Sequence, residues 1–300
     1  MGLLRKILTN FACCFILNKE KREEFRKKHK NKYIYWDKIE NYKDNKQIEP
    51  WAYIRVRNEA ITLKTCLESI IPVIKKGVIG YNDCTDGSEE IILEFCARNK
   101  GFIPIKYEYH IFNFQDERNG KKGNEENKFA TYCNYLLSFV PKNEWIIKID
   151  CDHIYDAEKL KKIFKIPNSK KDCVILPKIN VDILNGGGIT LLENNGFDET
   201  DDHWIINNHN LKFETINLKN GVWVEFLPLK GRNKIYTIGN NWHFPFIKRY
   251  RQNFKRKTLN INDWKEKNKE LIGYKISKDM LEENKILENY EKFNLGEKNE

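Results

Sequence analysis

The chain has 300 residues, 40% of them apolar and 13% aromatic, and a formal charge of +10 at pH 7. That length suits one large α/β domain with extensions, or two small domains, and so much apolar content excludes wholesale disorder. The charge is uneven: residues 1–49 carry 13 Lys and Arg against 7 Asp and Glu, and 248–300 carry 14 against 10, while 50–150 balance at 14 each and 151–247 at 12 each. A protein that reads nucleic acid with its fold would show basic residues in the body. This pattern instead suggests basic flanks on a neutral catalytic or binding core.

The N-terminus reads MGLLRKILTNFACCFILNKEKREEFRKKHKNK. Its apolar stretch, Ile7–Leu17, has 11 residues, too few to span a bilayer, and no small-residue cleavage site follows. The flanking Lys and Arg suit an amphipathic segment on an anionic membrane surface, here the cytoplasmic face of the inner membrane. A first helix packed on the domain is the alternative. Eight cysteines without a C-x-x-C pair read as reduced, mostly buried small hydrophobes of a cytoplasmic protein.

From residue 50 strands and helices alternate. WAYIRVR (51–57) predicts a strand, and AITLKTCLESIIPVIKKG a helix with Ile61, Leu63, Cys66, Leu67, Ile70 and Ile71 at helical spacing. GVIGYND (77–83) predicts a second strand, SEEIILEFCARN a second helix and FIPIKYEYHIF a third strand. A polar loop, NFQDERNGKKGNEEN, leads to the helix KFATYCNYLLSFV and the strand EWIIKID. This succession predicts an α/β fold with a mainly parallel sheet flanked by helices, whose ligand edge lies at the carboxyl ends of the strands. Asp83 and Asp150 both end strands, so both belong to that edge.

The strand at 144–150 runs into Asp150-Cys151-Asp152-His153. A calcium loop is excluded because its fifth and sixth positions would be Ile154 and Tyr155. An aspartyl-phosphate enzyme also places D-x-D after an apolar strand, though usually its first. A divalent cation bridging two phosphates is the third reading, since Mg²⁺ or Mn²⁺ takes one or two protein carboxylates plus substrate phosphates. Capping of the following helix, AEKLKKIF, is the plain structural alternative. Upstream, in NDCTDGSEEI (82–91), Asp86 and Ser88 suit helix capping, whereas Asp83 could accept a hydrogen bond from a base. RNEA (57–60) ends the first strand.

In this order, strand–RNEA–helix with CLESI, strand–ND-x-TDGS-x-EII and strand–D-x-D resemble the nucleotide-sugar half of GT-A-fold glycosyltransferases, over residues 50–156. More closely, WAYIRVRNEAITLKTCLESI, GVIGYNDCTDGSEEIILEFC, FIPIKY, EENK, EWIIKIDCDHIYDAEKL, DHWIINN and HFPFIK look like bacterial β-1,4-N-acetylgalactosaminyltransferases that decorate lipooligosaccharide with ganglioside-like structures. The likeness runs from about residue 50 to 248, weaker between 157 and 200. It implies a GT-A fold with a mixed, mainly parallel sheet at 50–247, its nucleotide-sugar half at 50–156 and its acceptor half at 157–247, while the charge distribution marks a basic N-terminal extension (1–49) and a basic helical C-terminal extension (248–300).

The resemblance also implies inverting transfer of N-acetylgalactosamine from UDP-GalNAc to a galactose, often sialylated, on a lipid-linked acceptor. Glu59 and Asp83 would hold the uridine, with Arg57 and Asp86 nearby. Asp150 would face the ribose or metal, and Asp152 would ligate Mn²⁺ or Mg²⁺ on the diphosphate. Lys128 would approach that diphosphate or be exposed, and His243, in NNWHFPF, would be a third metal or diphosphate ligand or a core histidine. An inverting enzyme needs one general base. In FDETDDHW (197–204), Asp202 is the choice, with Asp201 and Glu225 as alternatives. Trp204 would stack on an acceptor ring or be a buried Trp after an acidic turn, Glu225 would contact the acceptor, and Gly186–Gly188 would form a mobile loop or a plain turn. The competing classes are transfer of another UDP-hexose, a phosphotransfer enzyme with Asp150 as nucleophile, and a non-catalytic adaptor working through the basic ends.

Overall fold

The computed structural model describes residue 21 and residues 31–112, 123–217, 223–248, 251 and 255–293. The membrane-surface segment expected near Ile7–Leu17 and most of the polar loop before Asn124 fall outside these residues. In chain order the strands are β1 (Lys32–Tyr33), β2 (Trp51–Val56), β3 (Lys76–Tyr81), β4 (Phe102–Lys106), β5 (Trp145–Ile149), β6 (His153–Tyr155), β7 (Asp172–Ile175) and β8 (Lys178–Ile183). They continue with β9 (Ile189–Leu192), β10 (Phe197–Asp198), β11 (Trp204–Asn207), β12 (Glu214–Asn217), β13 (Trp223–Phe226), β14 (Asn233–Tyr236), β15 (Asn241–His243) and β16 (Thr258–Asn260). The α-helices are α1 (Trp36–Ile39), α2 (Ala60–Ile70), α3 (Ser88–Arg98), α4 (Phe129–Leu137), α5 (Ala157–Ile163), α6 (Ile261–Lys267) and α7 (Glu283–Glu291).

The main sheet has the order β1-β14-β7-β11-β5-β2-β3-β4. Its pairs are parallel except at β11, which runs antiparallel to both β5 and β7. This is the mainly parallel α/β architecture expected from the alternating pattern, and the antiparallel β11 makes the sheet mixed, as the GT-A likeness implies. The apolar runs of β2 and β5 are buried on both faces, as a helix-covered sheet requires. Leu63, Cys66, Leu67 and Ile70 of α2 pack on one face, and Ala130, Cys133, Leu136 and Leu137 of α4 on the other. The third strand is shorter than its sequence pattern, for β4 ends at Lys106 and Tyr107 and Ile111 are buried from loop positions.

A second sheet, unforeseen in the sequence, has the order β16-β9-β8-β15-β6, with β10 also paired to β8. Its strands are short and lie far apart in the chain, so no local period announces them. The described part of the C-terminal region packs against it: Ile261 and Trp264 of α6, Met280, Leu281, Ile286 of α7 and Phe293 share one core with Trp242 and Phe244. Charge marked 248–300 as an extension, but the apolar residues between those charges complete this core. No helix among the described residues is long and apolar enough to cross a membrane.

Candidate active site

The carboxylates of Asp150 and Asp152 stand where the two sheets meet. β5 ends at Ile149 in the main sheet, and after a three-residue turn β6 begins at His153 in the second. Neither aspartate caps the following helix: that cap is Asp156, whose side chain accepts from the Lys159 amide. The register then assembles the rest. Antiparallel pairing of β15 with β6 sets His243 directly opposite His153, and parallel pairing of β15 with β8 sets it beside Asn180. The His153 and His243 rings stack with centroids 4.3 Å apart, and His203, just before β11, lies 4.6 Å from His153 on its other side. Cys151, between the aspartates, is buried in the main core.

These groups line a cleft of about 540 Å³ together with Arg55, Arg57, Glu59, Lys178, Asp202, Lys248 and Arg251. Asp152 is only 4% exposed. Its Oδ2 is 3.0 Å from Lys248 Nζ, 3.3 Å from an Arg251 guanidinium nitrogen and 3.3 Å from His243 Nε2. Burial pushes the Asp152 carboxyl up, but His243, Lys248 and His153 outweigh it and hold it well below the usual carboxylate range. Asp150 is held low in the same way: burial opposes, while Lys148 at 2.9 Å, His203 at 2.9 Å and Arg55 at 4.0 Å prevail. The three imidazoles are shifted the other way, chiefly by burial, which favours their neutral forms.

Lys148 Nζ reaches 2.9 Å to Asp150 Oδ2 and 2.9 Å to Asp202 Oδ1, so one buried ammonium joins the two carboxylates. Asp202 is the most open of the set, with 59% of its side chain exposed. Burial raises its carboxyl, yet Lys148 and His203 bring it below the ordinary value, so it stays ionised at neutral pH. Glu59 differs: burial dominates, Asp152 adds to it, and the carboxyl is pushed up to about 7 despite Lys248 at 2.6 Å.

That shift sets a pH dependence. A carboxyl raised in the folded state contributes stability that is fully present below its unfolded value, near 4.5, and is lost as pH rises toward 7. Glu59→Gln removes this term. In metal-free buffer, the variant's unfolding free energy should gain on that of the parent by about 2–3 kcal/mol between pH 4.5 and 7.5 in urea titrations, at ~1.4 kcal/mol per pH unit. Parallel pH profiles would contradict it.

The other residues singled out in the sequence fall in several places. Arg57 lines the cleft, and its guanidinium is 3.4 Å from Asp83, which also meets His110 Nδ1 at 2.7 Å. Asp86 is a tether: its Oδ2 accepts from the Ala60 amide and its Oδ1 from the Ser88 amide and hydroxyl, fixing the start of α2 to that of α3. It has no side-chain oxygen turned to the cleft. Lys128 pairs with Glu125 at 2.5 Å and does not line the cleft. Asp201 pairs with Lys234 on β14, outside the cleft. Glu225, on β13, is held 3.0 Å from Arg55 and acts on the cleft through that arginine.

Trp204 corrects an expectation. It is 3% exposed in the core beside β7, with no face open to a sugar ring. The continuous run Trp204–Asn207 is buried throughout, as befits a strand between two others. Conversely, Lys148, Lys178, His203, Lys248 and Arg251 line or brace the cleft without having been chosen. Only Lys148 carried a sequence signal, a lysine within the apolar strand WIIKI.

A search of curated proteins finds no match to the chain. The family profile described as beta-1,4-N-acetylgalactosaminyltransferase (CgtA) matches residues 15–294, nearly the whole length, which sets aside the phosphotransfer and adaptor readings. The cleft at the seam of the two sheets therefore belongs to a glycosyltransferase, and the chain is a member of the CgtA β-1,4-N-acetylgalactosaminyltransferase family.

Proposed function

We propose that this enzyme is a GT-A-fold, inverting transferase that moves N-acetylgalactosamine from UDP-GalNAc to a galactose, commonly sialylated, of lipooligosaccharide. The carrying observation is that two carboxylates, Asp150 and Asp152, and three imidazoles meet where the two sheets join, in one cleft. Glycosyltransfer from a nucleotide diphosphate builds negative charge on the departing phosphate. A divalent Mn²⁺ or Mg²⁺, when bound by Asp152 and His243, would neutralise that charge. The donor set fits such an ion, since Asp152, His153 and His243 each offer one ligand atom, all within 4.8 Å of one another.

The chain's own groups supply the remainder. Glu59, Arg57 and Asp83 lie on the β2–β3 side, suited to the uridine, and Asp150 to the ribose. Lys248 and Arg251 are suited to the diphosphate oxygens. Asp202 takes the proton from the acceptor hydroxyl as that oxygen bonds to the anomeric carbon and the carbon–phosphate-oxygen bond breaks. Lys148 keeps Asp202 ionised while the cleft closes around sugars. The basic ends suit a peripheral position on the inner face of the cytoplasmic membrane, near a lipid-linked acceptor.

The test is a panel of UDP-sugars with lactose and sialyl-lactose, with and without Mn²⁺. Transfer from UDP-GalNAc at least tenfold faster than from UDP-GlcNAc, UDP-Gal or UDP-Glc, and lost in EDTA, is expected. Preference for another donor, or full activity in EDTA, would refute the corresponding part.

A further inference from the structure

His153 follows the two aspartates, is 1% exposed, and neither donor nor acceptor chemistry requires a histidine there. Its Nδ1 lies 2.7 Å from Asn241 Oδ1. The amide nitrogen of Asn241 is committed elsewhere, to Pro177 O at 3.1 Å and Asn240 Oδ1 at 2.9 Å, so the oxygen faces the ring and Nδ1 carries the proton. The same device acts on the neighbouring ring. His243 Nδ1 is 2.6 Å from Asn180 Oδ1, while Asn180 donates its amide nitrogen to Asn195 O at 2.5 Å. With Nδ1 of both rings committed to an amide oxygen, Nε2 is the atom each ring leaves for a ligand. Both Nε2 atoms face one carboxylate: His243 at 3.3 Å from Asp152 Oδ2, and His153 at 3.8 Å from Asp152 Oδ1.

One carboxylate and two Nε2 atoms that converge in this way offer three ligand atoms within 4.8 Å of one another. Amides that fix the far nitrogen are the outer-shell arrangement that orients imidazole ligands. We infer that His153 is a third protein ligand beside Asp152 and His243, and that Asn241 and Asn180 pre-set a two-imidazole, one-carboxylate site selecting Mn²⁺-like transition ions over Mg²⁺, before any nucleotide binds. This rests on reading the cleft as a metal site, but not on which sugar is transferred. Imidazole nitrogen suits the later transition ions best and Mn²⁺ less, but Mg²⁺ least of all, since it demands oxygen ligands in an octahedron and sheds water reluctantly. Lys248 and Arg251, now on Asp152 Oδ2, are the groups an arriving ion displaces.

The test uses the full chain without nucleotide or acceptor. Calorimetric titration should show Mn²⁺ binding at least an order of magnitude more tightly than Mg²⁺, and pulsed EPR of the Mn²⁺ complex should show imidazole-nitrogen modulation. His153→Gln should reduce that modulation and weaken Mn²⁺ while moving Mg²⁺ little, and Asn241→Leu should weaken Mn²⁺ by about 10–100-fold. Equal affinities for the two ions, or no nitrogen modulation in the unaltered protein, would overturn the inference even if either variant failed to fold. UDP-GalNAc transfer measured separately keeps the outcome distinct: a transferase active with Mg²⁺ alone refutes the inference and leaves the proposed function standing.

Discussion

Asp152→Asn is expected to lower kcat/KM for sugar transfer by about 10²–10³-fold, equivalent to ~3–4 kcal/mol of lost charge stabilisation on the departing diphosphate. The substitution preserves shape and leaves Lys248 with Glu59, 2.6 Å away, so the fold should survive. The melting temperature should fall, because a buried carboxylate held below its ordinary range stabilises the fold at neutral pH, so the rates are compared at a temperature where both proteins are folded. Rates within a factor of three of the parent would remove Asp152 from the chemistry. Excess Mn²⁺ should not restore the variant, because an amide oxygen lacks the charge that displaces two side-chain cations from the site.

Lys148→Met should act on stability and on the site at once. Lys148 is 5% exposed within β5, and its ammonium is the common partner of Asp150 and Asp202. Removing one member of a buried ion cluster leaves its partners uncompensated, typically at 3–5 kcal/mol. Because Asp202 is largely open to water, the lower end applies, about 3 kcal/mol in urea unfolding. Lys148→Met combined with Asp202→Asn should be less destabilised than the two single effects summed, since the second change removes a charge the first left unpaired. Strict additivity would show that the 2.9 Å contact between them carries no coupling. The exposed pair Lys106–Glu89 is a useful contrast, where solvent screening should leave stability little changed when the contact is broken.

How much of this was legible follows from how local each signal is. The alternation of β2, α2, β3, α3 and β5 is written in runs of five to eleven residues, and it positions Asp83 and Asp150 at the strand ends by itself. The second sheet is built from strands of two to six residues whose partners lie far away in sequence: β6 pairs with β15 across almost ninety residues. His153, His243 and Asn180 become neighbours only through that register, so no spacing rule could unite them. Lys248 and Arg251 lay in a block read for its net charge, not for individual contacts. Trp204 was misread although its signal was local. A tryptophan opening the unbroken apolar run WII marks a central strand, and an acidic cluster upstream does not turn it toward solvent.

Lys248 and Arg251 around Asp152 carry one more consequence. Without metal, the carboxylate already has two unit positive charges beside it, the same total as one divalent ion. On the proposed function, metal entry would be an exchange within the cleft, two tethered monovalent cations for one free divalent cation. The freed ammonium and guanidinium stay on their backbone, next to where a diphosphate would lie. If the cleft takes a divalent ion and a nucleotide as proposed, the two would load cooperatively: the ion would release cations suited to the phosphates, and the phosphates would keep those cations from returning to Asp152.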